Sequence, residues 1–440
     1  MKKEILKKYI YTFWETDLED IKERSIDMTF LENDLINDII GIRRCGKTSL
    51  MYWIAKTKGN KNRKNIIYLN CEDRRVYPLK LDDLNYLIEF IYEQDLLKDK
   101  VILMLDEIQA VTGWEVFAKS IYDEFKGRIK LIVSGSVKSL ISEDYGKLIS
   151  GRHKTIEIYP LNFPEYLNFV DYTHFKNLTE KKEAQIKRLC KEYVSHSALP
   201  KYVLTKDYSY VELVFSDIIE RDIKSRTNIR KKEIVDETIN LLTERVASLI
   251  SYTKIKNMLK NKGYTASTDI VIRYSEIFEN VFLFFFLPIY SSKYSEVLKN
   301  PRKVYIADNG FFNLFYLRFT ESKGNLMENT VALELLKRGF TPGKNLFYYS
   351  KDDFEVDFIL KQGLRIKQLI QVCYSLEDEK TRNRETKALL KASDELKCND
   401  LLILTWDEEE EQTINNKKII FMPLWKWLIQ TPMRISNKPR

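Results

Sequence analysis

Histidine and cysteine are scarce, with three and five in 440 residues. Cys45, Cys71, Cys190, Cys373 and Cys398 are scattered and odd in number, and no C-x-x-C pair or Cys/His cluster occurs. That argues against a zinc site or a disulfide framework and for free thiols in a reducing cytosol. Glycine (14) and proline (10) are sparse, with no flexible linker in view, so the domains are expected to pack on one another. Long apolar runs are missing too. The most apolar stretch, VFLFFFLPIY at 281–290, is about half the ~20 residues of a spanning helix and contains Pro288, so it reads as a core strand. The opening MKKEILKKYIYTFWETDLED lacks an apolar core and a small-residue cleavage site, and no signal peptide is expected. A cytoplasmic protein without a membrane span is the reading. Charge of one sign is barely in excess: 72 Lys and Arg face 64 Asp and Glu, mixed along the chain. The net +8 permits an anionic partner without requiring one, and any basic patch must be local.

What is present is length and alternation. The chain is too long for one ordinary core, so two to four domains are expected. In residues 1–161, INDIIGI, KNIIYLNCED, KVILMLDEIQ, RIKLIVSGS and HKTIEIYPL are strand candidates separated by amphipathic helical segments. This is the pattern of an α/β fold with a covered parallel sheet. Residues 162–232 read as helical. Residues 233–316 read as three helices and two strands. Residues 317–440 read as helix, three strands, helix, two strands and helix.

The densest chemistry lies at the first strand's end. Gly41-Ile-Arg-Arg-Cys-Gly46-Lys47-Thr48 fits G-x-x-x-x-G-K-[ST], with a strand before and a helix after. Backbone N–H groups of Gly41, Arg43, Arg44, Cys45, Gly46, Lys47, Thr48 and Ser49 would wrap phosphate oxygens, and the helix N-terminus would face the same anion. Lys47 would reach the β- and γ-phosphates of ATP, and Thr48 would ligate Mg2+. About 60 residues later, five apolar residues end in Asp106 and Glu107. Such a buried strand puts carboxylates at the sheet edge where ligands sit. Asp106 would hold the magnesium shell, and Glu107 would polarise the attacking water. Ser134 and Ser136 end a third strand, either as γ-phosphate sensors or as a simple turn. Arg152 would stabilise transition-state charge, in its own chain or in a neighbouring subunit, or stand as a surface arginine. Arg43 and Arg44 could pair with Glu72 and Asp73.

These residues, with LDEIQAVTGWE, VSGSVKSLIS, GRHKTIEIYPLNFPEYL and IIERDI, resemble prokaryotic and archaeal-type AAA+-like P-loop ATPases that carry an extra C-terminal domain. RKVYIADNGFFN, MENTVALELLKRG and EVDFIL resemble later segments of that family. SHSALP departs from it, with Ser197 and Ala198 where relatives tend to have glycines. The resemblance implies an ASCE-type core (1–161), a helical lid (162–232), a winged helix (233–316) and a C-terminal α/β fold similar to PD-(D/E)XK nucleases (317–440).

A winged helix would offer Lys262, Thr268 and Arg273 from its helices and Lys293, Lys299, Arg302 and Lys303 from its wing to nucleic acid, unless it serves only as a packing module. In the nuclease-like segment, Glu355 and Asp357 share one face of a strand. Asp357 matches the nuclease pattern. Gln371 stands where the second acid belongs and Cys373 where the lysine belongs, with Glu328 available from the preceding helix. An amide is a poor magnesium ligand beside a carboxylate and a thiol does not replace an ammonium, so the module is expected to be degenerate. Three readings stand. The first is a Mg-dependent ATPase acting on or recruited to DNA. The second is a nucleotide-regulated scaffold for a protein partner. The third is an ATP-gated nuclease. A homo-oligomer is compatible with each.

Overall fold

Four short apolar runs form strands whose residues are almost all buried, as a sheet covered on both faces requires, while a fifth, HKTIEI, lies at the sheet edge and is mostly half-buried. The computed structural model describes residues 2–59, 62–138, 149–172, 179–225, 231–315 and 323–430. The chain divides into two units, Met1–Tyr159 with Asn280–Phe282, and Pro160–Glu279 with Leu283–Arg440.

The first unit runs α1 (Lys2–Glu15), β1 (Ile36–Gly41), α2 (Lys47–Lys58), β2 (Ile66–Asn70), α3 (Leu81–Glu93), β3 (Val101–Asp106), α4 (Trp114–Phe125), β4 (Ile129–Gly135) and β5 (His153–Ile158). The strands form one parallel sheet in the order β2-β3-β4-β1-β5. β4 therefore lies between the strand that feeds the glycine loop and the strand that ends in the acid pair. The register sets Ser134 of β4 beside Ile39, two residues before Gly41. Of the run VSGSVKSLIS, residues 139–142 lie outside the described residues.

The second unit opens with α5 (Phe163–Phe169), α6 (Glu180–Ser195), α7 (Pro200–Thr205), α8 (Tyr208–Asp217) and a π-helical turn over Ile218–Lys224. Asn162 and Glu165 cap α5 reciprocally. Next come α9 (Lys232–Thr243), β6 (Ser248–Ile250), α10 (Tyr252–Asn261), α11 (Thr268–Asn280), β7 (Phe284–Leu287), α12 (Tyr294–Lys299) and β8 (Arg302–Ile306). β6, β8 and β7 make a small antiparallel sheet. The apolar run 281–290 is strand only over Phe284–Leu287, because Pro288 has no N–H for a ladder. β6 was not expected, since three residues are too few to show a period.

The chain continues through α13 (Asn309–Asn313), α14 (Lys323–Lys337), β9 (Leu346–Lys351), β10 (Phe354–Gln362), β11 (Arg365–Val372), α15 (Glu379–Leu396), β12 (Leu401–Thr405), β13 (Glu410–Ile414), β14 (Lys417–Pro423) and α16 (Leu424–Ile429). The six strands form a mixed sheet in the order β13-β14-β12-β11-β10-β9. Val356, Ile359, Leu369, Leu389, Leu401, Ile403, Ile419 and Phe421 are among its core. β13 was missed because its acids conceal the alternation. The SHSALP turn holds without glycine: the Ala198 N–H donates to Asp308 Oδ2 at 2.8 Å, and the room for Ser197 is made by Gly310 opposite.

Candidate functional site

The glycines of the loop answer two local demands. A Cβ on Gly41 would lie 2.1 Å from the Ile158 carbonyl oxygen of β5, so only hydrogen fits there. Gly46, which precedes α2, has φ +105°, a backbone state natural to glycine. Lys47 is 5% exposed, and its Nζ donates to the carbonyls of Gly41 (2.9 Å) and Ile42 (3.1 Å). Those two carbonyls hold the ammonium inside the loop. From the other side the loop is held by Arg24, also 5% exposed, whose guanidinium donates to the carbonyls of Cys45 (2.7 Å) and Tyr159 (2.9 Å).

Asp106 is fully buried and collects three hydroxyl donors. Thr48 Oγ1 (2.6 Å) and Tyr68 Oη (2.9 Å) donate to Oδ2, and Ser134 Oγ donates to Oδ1. The Thr48 bond joins the first residues of α2 to the end of β3, so loop and acid strand meet at one point. Burial and the neighbouring Asp106 push the Tyr68 hydroxyl far above its ordinary pKa, which keeps it a donor. Thr48 and Asp106 are hard oxygen donors in contact, the set Mg2+ takes when phosphates and waters complete its shell, so the residues fit that ion.

Glu107 has φ +51°, a left-handed state that costs a non-glycine residue about 1–2 kcal/mol. The turn is fastened by Ser134, whose Oγ accepts the Glu107 N–H at 3.1 Å. The Glu107 carboxylate accepts from Gln109 Nε2 at 2.5 Å, while Gln109 Oε1 is enclosed with no hydrogen-bond partner. Arg24, Tyr68 and Gln109 were not singled out from sequence. Only Gln109 had a short-range signal, its position two residues after the acid pair.

Other expected residues lie elsewhere. Arg152 precedes β5, its carbonyl accepts the N–H of Ile36 at the start of β1, and its side chain faces Asp123 at 3.5 Å. At ~3.3 Å per residue, the length of β1 puts it about 17 Å from the loop of its own chain. Asp73 binds Arg75 through both carboxylate oxygens, rather than Arg44. Arg44 is exposed and Ser136 is buried.

In the second unit a cavity of about 170 Å³ gathers Thr268, Lys299 and Arg302 with Ser251, Tyr252 and Thr253. Arg302 lies over the Tyr252 ring at 5.6 Å, and Arg273 is exposed on α11. Lys262 pairs with Glu237 at 2.6 Å and Lys293 with Glu296 at 3.4 Å. Lys303 corrects the expectation of a basic wing residue: it is 2% exposed and faces inward onto Glu328, Glu355 and Asp357. β8 alternates like any strand, so a neighbour of the outward Arg302 must point inward.

Gln371 sits beside this cluster. Its Oε1 accepts the Asp357 N–H (3.2 Å) and its Nε2 donates to Glu385 (2.6 Å). Cys373 turns to the Ser375 carbonyl at 3.1 Å, and burial pushes its thiol up to about 11. Among the described residues, no three Asp, Glu, His or Cys side chains are arranged to hold a metal ion, and no helix is long and apolar enough to cross a membrane.

A glycine loop on a parallel sheet, with its threonine bound to the acid of a neighbouring strand, defines a P-loop ATPase domain. Residues 33–167 match the family model of the AAA domain, 191–323 a domain of unknown function (DUF8612) and 323–427 another (DUF4143). An uncharacterised protein of Methanocaldococcus jannaschii is 33% identical over 415 residues, 92% of this chain and 90% of that protein, and the chain belongs to its family. An uncharacterised protein of Haemophilus influenzae is 28% identical over 91% of this chain and 96% of its own length. Among solved structures, the Walker-type ATPase of Pyrococcus abyssi aligns with 65% of this chain and 92% of its own, at 15% identity and a TM-score of 0.43.

Proposed function

We propose that the chain binds ATP with Mg2+ and hydrolyses it, and that the second unit conveys the nucleotide state to DNA. The observation that carries the ATPase reading is the 2.6 Å bond from Thr48 to Asp106, which couples the phosphate loop to the acid strand. Lys47 turns two of its three N–H groups to loop carbonyls and keeps one for a phosphate oxygen. The N–H groups of residues 43–49 receive the phosphates. Thr48, with Asp106 behind it, would hold magnesium, which when bound would supply positive charge to the phosphate oxygens. Glu107 takes the proton of the attacking water, and Gln109 holds its carboxylate in place. Arg152 serves only a neighbouring subunit of a homo-oligomer.

The test is ATP turnover with purified full-length variants. Lys47→Ala is expected to lower turnover about 10²-fold or more with weaker ATP binding. Glu107→Gln is expected to bind ATP normally and turn over about 10²- to 10⁴-fold more slowly. Unchanged hydrolysis in Lys47→Ala rejects the reading.

The DNA reading treats 162–232 as a lid, 233–316 as a winged helix and 317–440 as a nuclease-like module that no longer cleaves. Its support is the cavity shared by Thr268, Lys299 and Arg302. A second reading, a nucleotide-regulated scaffold for a protein partner, is favoured by the internal pairing of Lys262 and Lys303, which removes two charges from the basic face. Either role suits a cytoplasmic protein.

A further inference from the structure

A lysine buried in a strand is costly, because its ammonium leaves water for a medium of low dielectric. Lys303 is tolerated in β8 because three carboxylates converge on it. Its Nζ lies 2.6 Å from Asp357 Oδ1, 2.7 Å from Glu355 Oε1 and 3.0 Å from Glu328 Oε1. One carboxylate for each N–H satisfies the ammonium fully. Burial opposes its charge, yet Asp357, Glu328 and Glu355 together outweigh that and hold the amine well above its ordinary pKa.

The carboxylates are themselves fixed. Tyr305 Oη donates to Glu328 Oε1 at 2.8 Å, and the Val372 N–H donates to Asp357 Oδ2 at 2.8 Å. The cluster forms the floor of a cavity of about 640 Å³ whose wall includes Arg384, Lys387 and Lys391 of α15. The acids come from two elements, α14 and β10, and the ammonium from a third, β8.

Three carboxylate oxygens lie within 3.0 Å of one point, spread to hydrogen-bonding distance around a nitrogen and so too wide for a metal as they stand, yet they are the hard ligands a divalent cation would draw in were the point vacated. We propose that Lys303 is the resident cation of this cavity: its ammonium occupies the place of a divalent metal, so the native cavity is metal-free, and removing the ammonium creates a divalent-cation site. The proposal rests on the reading of residues 317–440 as a non-cleaving module only in supplying its physical cause, and it is independent of the phosphate loop.

The experiment is Mn2+ titration of the nucleotide-free full chain, followed by calorimetry and by thermal unfolding. The wild type is expected to show no Mn2+ site that Asp357→Asn removes. Lys303→Ala is expected to bind one additional Mn2+ at least about tenfold more tightly than the wild type and to gain thermal stability from it, and Lys303→Ala with Asp357→Asn to lose that site. Lys303→Ala leaves three acids facing one another and risks failing to fold. Lys303→Ala with Glu328→Gln relieves the repulsion while keeping Glu355 and Asp357 as ligands. Overturning results are a wild-type Mn2+ site abolished by Asp357→Asn, or a folded Lys303 variant, single or double, that binds no more Mn2+ than the wild type. DNA retention and cleavage are not the readout, so failure here is distinct from failure of the DNA reading.

Discussion

At the scale of the residue, Asp106 concentrates the most consequence in the least space. A fully buried carboxylate is tolerable only when its oxygens are solvated by the protein, and three hydroxyls from three elements do that. Tyr68 is the one of the three not expected to touch nucleotide or magnesium. Tyr68→Phe is therefore expected to lower the unfolding free energy by about 1.5–3 kcal/mol, the worth of a hydrogen bond to a charged group, while ATP affinity changes little. Urea denaturation alongside nucleotide titration checks both halves. Gly41 to Thr48 and the Asp106–Glu107 pair are legible in sequence because their chemistry needs neighbouring residues in fixed order. Arg24 and Tyr68 are illegible because each reaches its partner across the fold, 21 residues before Cys45 in one case and 38 before Asp106 in the other. Lys303 is the sharper instance. A basic residue at the end of an expected wing, next to Arg302, reads as surface, and only the packing of β8 against Glu328 and Asp357 reveals a core ion cluster.

At the scale of the element, the parallel sheet follows from apolar runs that alternate with helices. The short strands do not, because β6 has three residues and β13 opens on glutamates. The pairing of β5 with β1 carries its own electrostatic fastening. His153 Nδ1 lies 2.5 Å from Oδ2 of the fully buried Asp38. The hydrogen bond to Asp38 raises the imidazole above its ordinary 6.5, against the smaller effect of burial. A base whose pKa is raised by folding stabilises fully below its unfolded value, and that contribution disappears as pH climbs through the folded value. The stability advantage of wild type over His153→Gln is thus expected to be greatest below about pH 6.5 and to decline above it. Chemical denaturation at a series of pH values measures this. A difference that grows with pH is the opposite sign and excludes the pair.

At the scale of the whole molecule, the charge balance is close to even, so any attraction to nucleic acid must come from a few placed side chains. Lys299 and Arg302 are the candidates that share a cavity. Replacing both by glutamate is expected to weaken retention on duplex DNA at every sequence and to reduce the slope of log affinity against log salt by about 2, since each phosphate contact contributes ~0.9. ATP hydrolysis measured without DNA is expected to be unaffected. DNA retention identical to wild type at low and high salt transfers the weight to a protein partner.

The contact between Gly41 and Ile158 reaches further than the fit of a glycine. Ile158 is the last residue of β5 and stands next to Tyr159, where the first unit ends, and the Tyr159 carbonyl is tied by Arg24 to the same loop. The glycine loop and the end of β5, where the chain leaves the sheet, are thus pinned to each other. Within the first unit, the place of the glycine loop and the place where the chain leaves β5 are therefore set together, by one backbone contact and one guanidinium.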